Sequence, residues 1–172
     1  GFRCGFLGLL HLEIVQERLE REYDQAIIMT IPSVQYRFLL RSGEYLTVDN
    51  PHYYPDPSSI EKSEEPYVRA NIYIPQRSMG AVINLCLERR GVNTQFTYPT
   101  PQRIEVTAEM PIAEIIYDFY DKLKTVTQGY GSFDYEFIGY RESDLVKLDI
   151  LVNGERIDAL SMMIHRERSR AR

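Results

Sequence analysis

No apolar run in this sequence approaches the roughly 20 residues that a membrane-spanning helix requires, so no helical span is expected. The chain opens on Gly1 rather than Met, so the lack of a signal peptide carries no weight. Cysteine is scarce. Cys4 and Cys86 lie far apart, without Cys or His neighbours at metal-ligand spacing, which excludes a disulfide framework or a zinc site and fits two free thiols in a reducing cytosol. Histidine is equally thin. His11-x-Glu13 is not a metalloprotease helix motif, because no second histidine stands in register, and it reads as a capping or packing residue. His52 lies in a proline-rich stretch, and His165 sits among arginines with Glu167 as its one nearby carboxylate. Nothing local suggests Ser-His-Asp or Cys-His chemistry. A Gly-x-x-x-x-Gly-Lys-Ser/Thr loop is also missing, so these residues cannot hold GTP or ATP in that way. No catalytic residue, cofactor site or metal site is assigned within the chain.

What is present is ordinary for a globular domain: 172 residues, 44% hydrophobic and 26% charged. The net charge of −5 hides an asymmetry. His165 to Arg172 hold four Arg against one Glu, a local +3 that leaves −8 on the rest. An acidic body does not attract polyanions through bulk charge, so any nucleic-acid contact must be local, and the basic end is the place for it. A solvated tail is the plainer alternative.

The chain divides into four stretches. In residues 1–48, Leu12, Val15, Leu19 and Tyr23 recur on one helical face, with Glu17/Arg21 and Arg18/Glu22 at i,i+4 outside. Strands are expected at Ala26–Met29 and Val34–Leu40. One helix on two or three strands is too little for a core, so this stretch is expected to be the second half of an α/β domain. Residues 49–66 carry four prolines among turn formers and are expected to be a stiff linker. Residues 67–140 alternate at Val68, Ala70, Ile72 and Ile74. A helix follows, with Ser78 as N-cap, a stripe of Met79, Val82, Ile83, Cys86 and Leu87, and a stop at Gly91. Strands at Val92–Tyr98 and Arg103–Met110 come next. A second helix after Pro111 has Ile112, Ile115, Ile116, Phe119 and Leu123 on its buried face, and a last strand carries Phe133, Tyr135 and Phe137. The order βαββαβ predicts a ferredoxin-like α+β sandwich with both helices on one face. In residues 141–172, Leu145–Val152 and Arg156–Ile164 flank Asn153-Gly154, a type I′ hairpin signal. Such a hairpin must dock on its neighbour or begin a further domain.

Some ferredoxin-like domains stack bases on an open sheet. Here the outward positions of the third and fourth strands include Glu105, Glu109, Asp134 and Glu136, which repel phosphate, with Arg103 the one basic residue among them. Phe133, Tyr135 and Phe137 are expected on the inner face, in the core. Arg89-Arg90 complement a helix C-terminus. The loop Thr127-Gln128-Gly129-Tyr130-Gly131-Ser132 is less usual: glycines on both sides of an exposed Tyr permit close approach of another backbone or a phosphate. An RNA- or ribosome-binding set is therefore expected at Gly129, Tyr130 and Gly131, and at Lys147, His165, Arg166, Arg168 and Arg170, with Arg172 completing the basic cluster.

Four long strings carry a resemblance. Gly1-Phe2-Arg3-Cys4-Gly5-Phe6-Leu7-Gly8-Leu9-Leu10-His11, Val48-Asp49-Asn50-Pro51 with Pro55-Asp56-Pro57, Ser132 through Asp144, and Leu148 through Glu155 resemble the LepA, or elongation factor 4, family of bacterial translational GTPases. In order, they resemble its third domain, its interdomain linker, its equivalent of the fifth domain of elongation factor G, and the start of its own C-terminal domain. Elongation factor G shares the Thr-x-Gly-x-Gly-Ser-Phe pattern of Thr127–Phe133, but it separates its two α/β units by a whole domain. Here only residues 49–66 separate them. One departure is local: Gln76-Arg77-Ser78 stand where the family usually has acidic and aromatic residues.

The resemblance implies the ribosome-binding arm of a GTP-dependent factor that acts on tRNA translocation, on rescue of stalled ribosomes and on fidelity. GTP and Mg2+ would be bound upstream of this stretch. The implied partners are the ribosome, ribosomal RNA and tRNA, without DNA and without an obligate oligomer. The implied location is the cytoplasm, with peripheral contact at the inner membrane. The alternatives are the equivalent region of another elongation-factor-G-like GTPase, a stand-alone ferredoxin-like regulatory module or enzyme, and a purely structural subunit.

Overall fold

A computed structural model describes residues 9–27, 33–149, 151–156, 161–166 and 169. The chain falls into two units, Gly1–Pro32 and Ser33–Arg172. In the first, α1 (Leu9–Tyr23) carries the expected surface pairs, Arg18 with Glu22 at 3.0 Å and Arg21 with Glu17. Residues 28 and 29 of the expected strand lie outside the described residues.

The second unit is built on β3 (Ile60–Pro75), a 16-residue strand. Its second half pairs antiparallel with β5 (Arg103–Pro111), which pairs in turn with β4 (Val92–Thr100). The opposite edge of β3 takes β6 (Ser132–Glu142), from Glu64↔Glu142 to Tyr73↔Ser132. The spatial order β6-β3-β5-β4 is that of the ferredoxin-like sandwich. The first half of β3 carries β1 (Tyr36–Leu40), which forms a hairpin with β2 (Tyr45–Val48).

This corrects the linker. The extended chain expected to run free through Pro66 is a strand from Ile60, flanked on both edges. Prolines 51 and 57 open two short 3-10 turns, capped by the side chains of Asn50 and Asp56. Residues 33–48, expected to belong with the opening helix, join this larger unit. The reason is pairing: β1 has a partner edge on β3, and composition alone does not reveal which edge a strand will find.

Two cores result. The first lies between the sheet and α2 (Met79–Glu88) with α3 (Phe119–Val126), and contains Val68, Ile72, Ile74, Val82, Leu85, Cys86, Ile104, Val106, Met110, Phe119 and Leu123. In α2 the buried stripe is Val82, Leu85 and Cys86, continued by the C-cap Arg89, at i, i+3, i+4 and i+7, so Leu85 takes the inward place expected of Leu87. Ser78 occupies the N-cap position without a side-chain cap bond. Burial pushes the Cys86 thiol from 9.0 up to about 11, as befits a core residue. The second helix begins later than expected. Ile112–Glu114 is a 3-10 turn, and α3 starts only at Phe119. The apolar stripe of that stretch serves both cores: Ile115 and Phe119 pack in the first, and Ile116 in the second.

That second core holds Val34, Tyr36, Phe38, Val48, Leu145 and Met163. It joins the β1–β2 hairpin to the ladder of β7 (Leu145–Leu148) with β10 (Met162–His165). Tyr36 Oη donates to the Met163 carbonyl, and Tyr54 Oη to the Leu145 carbonyl, each at 3.2 Å. Burial raises the Tyr36 phenol well above its ordinary range. Asn153 and Gly154 both have positive φ, 52° and 83°, as a type I′ turn requires, and connect β8 (Leu151–Val152) to β9 (Glu155–Arg156). The expected continuous hairpin is therefore two short ladders, one docked in the second core and one around the turn.

Candidate nucleic-acid interface

Consider first the loop between α3 and β6. Thr127 is fully buried. Its Oγ1 donates to the Leu123 carbonyl and accepts from the Gly131 N–H, each at 2.7 Å. A Cβ on Gly131 would lie 2.6 Å from Thr127 Oγ1, so only glycine fits there. Gly129 has φ +85°, the left-handed conformation that ends a helix, and its N–H donates to the Lys124 carbonyl at 2.7 Å. The glycines thus have two separate tasks, close packing at 131 and backbone handedness at 129. We predict that Gly131→Ala lowers stability by about 1–3 kcal/mol through overpacking. Gly129→Ala, with nothing within 4 Å of its added Cβ, should cost about 1 kcal/mol through φ strain alone. Melting curves of the two variants test this ranking, and equal losses would contradict it.

Tyr130 stands at the tip of this fixed loop, 66% exposed. The Arg77 guanidinium lies over its ring at 5.3 Å. Arg77 comes from the 3-10 turn Gln76–Ser78 that follows β3. Lys124 Nζ donates to the Gly129 carbonyl at 3.2 Å and lies 5.3 Å from the centre of the Tyr120 ring. The tip is therefore an aromatic surface edged by Arg77 and Lys124 on a rigid base, a form suited to phosphate and base stacking. The sequence reading singled out Gly129, Tyr130 and Gly131 but missed Arg77 and Lys124. Pro75 ends β3 and Ser132 begins β6, so their neighbouring ends bring Arg77 to the loop, whereas Lys124 stands in the last turn of α3, five residues before Gly129.

The basic end is differently placed. Arg166 Nε lies 2.6 Å from Asp144 Oδ2, and its backbone N–H donates to the Asp144 carbonyl at 2.9 Å. This exposed pair raises the Arg166 pKa and holds the Asp144 carboxyl below the usual carboxylate range. Lys147 lies 3.6 Å from Asp149, and His165 is paired across the ladder with Leu145. Arg168, Arg170 and Arg172 lie outside the described residues. Ser143, beside Asp144, is bonded to Ser63 near the start of β3, whereas the Tyr130 loop adjoins its far end at Tyr73. At about 3.3 Å per residue the two candidate contacts stand roughly 35 Å apart along one strand. The structure does not bring them together.

The outward sheet face is acidic, as expected, yet more fully neutralised. Arg69 reaches Glu136 at 2.9 Å and Glu109 at 3.8 Å, Arg141 reaches Glu109 at 2.5 Å, and Asn71 bonds Asp134 at 3.0 Å. Arg89 and Arg90 are not surface partners of a helix dipole. Arg90 binds Glu65 at 2.5 and 3.0 Å and Glu114 at 3.0 Å, while Arg89 lies 2.8 Å from Asp118 and 3.6 Å from Glu114. A cavity of about 460 Å³ beside this network is lined by Tyr36, Arg89, Glu114 and His165, away from the Tyr130 tip. Among the described residues no group of three or more His, Cys, Asp and Glu could hold a metal ion.

The strand order and the fixed glycine loop belong to a known class of domain. Residues 62–151 match the family described as "Elongation factor G C-terminus", more than half of the chain, and the chain belongs to that family. The relatives are more particular. The chain is 68% identical over all 172 residues to "Elongation factor 4" of Syntrophus aciditrophicus, 70% identical over 170 residues to that of Syntrophobacter fumaroxidans, and 64% identical over 172 residues to that of Desulfotalea psychrophila. It is covered at 100%, 99% and 100%, and spans 29%, 28% and 29% of those relatives. The resemblance to the elongation factor 4 family read from the sequence therefore stands.

Proposed function

We propose that these residues form the ribosome-binding arm of a GTP-dependent translation factor. One observation carries the reading: a rigidly held, exposed Tyr130 flanked by Arg77 and Lys124, in a chain about two-thirds identical to proteins named elongation factor 4. The arm acts by position. One end presents the Tyr130 tip to ribosomal RNA and the other presents the arginines from Arg166 to Arg172 to tRNA. GTP and Mg2+ are bound and hydrolysed outside these residues, in the remaining length of a protein like the relatives, because this sequence has no phosphate loop. The whole factor acts in the cytoplasm on tRNA translocation, with a peripheral contact at the inner membrane. The opening unit, residues 1–32, derives from a domain like the third domain of translational GTPases, and the stretch after β6 begins a family-specific one. Nucleotide state would then be transmitted as a shift of a stiff body rather than by chemistry at this site.

Because the Tyr130 ring is mostly exposed, Tyr130→Ala should leave the melting temperature unchanged while weakening ribosome-stimulated GTPase activity of the longer protein. A stacked base is worth about 1–3 kcal/mol, so the expected loss in ribosome affinity is about tenfold. Unchanged ribosome affinity and GTPase stimulation would remove the tip from the contact.

A further inference from the structure

The last strand of the sandwich differs from its sequence-based expectation. Phe133, Tyr135 and Phe137 do point to the helix side, opposite Ile72, Ala70 and Val68 of β3. The helical layer does not reach over them. Tyr135 is 48% and Phe137 60% exposed, and only Phe133 packs on the core. The Phe133 and Tyr135 rings stack at 6.0 Å, and Tyr120 of α3 adjoins Phe133 at 6.1 Å. Along the same strand the outward side chains are Asp134 and Glu136. Among the described strands β6 pairs only with β3, so its outer edge is a row of backbone donors and acceptors without a strand partner. Near its end the register shifts at Ile138, and Gly139 has φ +116°.

An edge of 11 residues, aromatic on one face and acidic on the other, is a template for an added strand. We infer that β6 receives an extended segment of another protein in which apolar and basic residues alternate, the apolar ones on Tyr135 and Phe137 and the basic ones beside Asp134 and Glu136. Charge selects this occupant. A second copy paired antiparallel about Tyr135 would set Asp134 opposite Glu136, and like charges directly opposite destabilise a ladder. Single-stranded RNA is disfavoured by the same two carboxylates. Within the chain Asp134 bonds the neutral Asn71 at 3.0 Å, and Glu136 shares Arg69 with Glu109, at 2.9 and 3.8 Å, so the edge keeps a net negative charge. This contact is separate from the Tyr130 tip and does not depend on the RNA reading.

The test uses the whole chain and a labelled nonapeptide of alternating valine and lysine, with binding read by fluorescence anisotropy. Saturable binding is expected, and it should fall by about tenfold when the lysines become glutamates, the scale of two cross-strand charge pairs. N-methylation of alternate peptide nitrogens, which removes ladder donors, should abolish binding. Asp134→Lys with Glu136→Lys should reverse the peptide preference. The peptide exchange against unaltered protein decides the matter even if that double variant fails to fold. Absence of binding, equal binding of the N-methylated peptide, or equal binding of the glutamate peptide would each overturn the proposal. Binding of decauridine that is lost in Tyr135→Ala would assign the surface to RNA and overturn it likewise.

Discussion

Replacing Glu65 with Ala should lower the unfolding free energy by about 3–5 kcal/mol, the cost of leaving a buried charge without its partner. Glu65 is 1% exposed and takes both Nη atoms of Arg90, at 2.5 and 3.0 Å. Arg90 also binds Glu114. The network therefore joins three elements that no single hydrophobic stripe connects: β3, the end of α2 and the turn before α3. Removing Glu65 leaves the Arg90 guanidinium in a site with too few acceptors. Urea unfolding followed by circular dichroism gives the answer, with the midpoint falling by more than about 1 M at an ordinary slope. Replacing Glu65 and Arg90 together with Met should recover only part of the loss, because the unmatched guanidinium is gone but Glu114 loses Arg90 and keeps Arg89 at 3.6 Å. A loss under about 0.5 kcal/mol for Glu65→Ala would mean that water reaches the site and that residues 60–66 behave as a linker after all.

Replacing Arg166, Arg168, Arg170 and Arg172 with Ala should lower the salt slope of binding to ribosome–tRNA complexes by about three. Each arginine that neutralises a phosphate releases about 0.7–0.9 counterions, so four contacts account for that figure. The loss should be similar across RNA sequences, because phosphate contacts position a protein without reading bases. The Arg166–Asp144 pair adds a second arm. An exposed ion pair is worth about 0–1 kcal/mol, so phosphate can displace Asp144 at small cost. Asp144→Asn should accordingly strengthen binding at low salt. If the basic end is only solvated, both slope and affinity stay unchanged in the four-Ala variant.

Periodicity made the sandwich legible. Alternation at Val68–Ile74, the stripe Val82–Cys86 and the Asn153-Gly154 turn each appear where the pattern placed them, because burial against a sheet and positive φ leave direct marks on sequence. What stayed illegible has a common cause: pairing between distant segments. The prolines of residues 51–66 read as a linker, although Ile60–Pro66 lies in β3, because a proline at the end of a shared edge looks the same as one in free chain. Arg89-Arg90 read as a dipole complement, since Glu65 and Glu114, their true partners, lie about 25 residues away. Tyr135 and Phe137 read as core because alternation reveals which face a side chain takes and not whether a helix covers it. At the candidate interface the glycine loop was legible from its unusual composition. Arg77 was not, as tertiary proximity alone brings it there; Lys124, five residues before Gly129, was within reach from its place at the helix end. The basic end was legible as charge, but the partnership of Arg166 with Asp144 was not.

The ribosome-binding arm is tested most directly by site-specific photocrosslinking of the longer protein bound to ribosomes. A photoreactive side chain placed at position 130, and in a separate variant at position 168, should each yield light-dependent crosslinks to RNA. Crosslinks from 130 should map to ribosomal RNA and those from 168 to tRNA. Crosslinking from neither position above the level seen without light, with the protein still bound to ribosomes, would contradict the account.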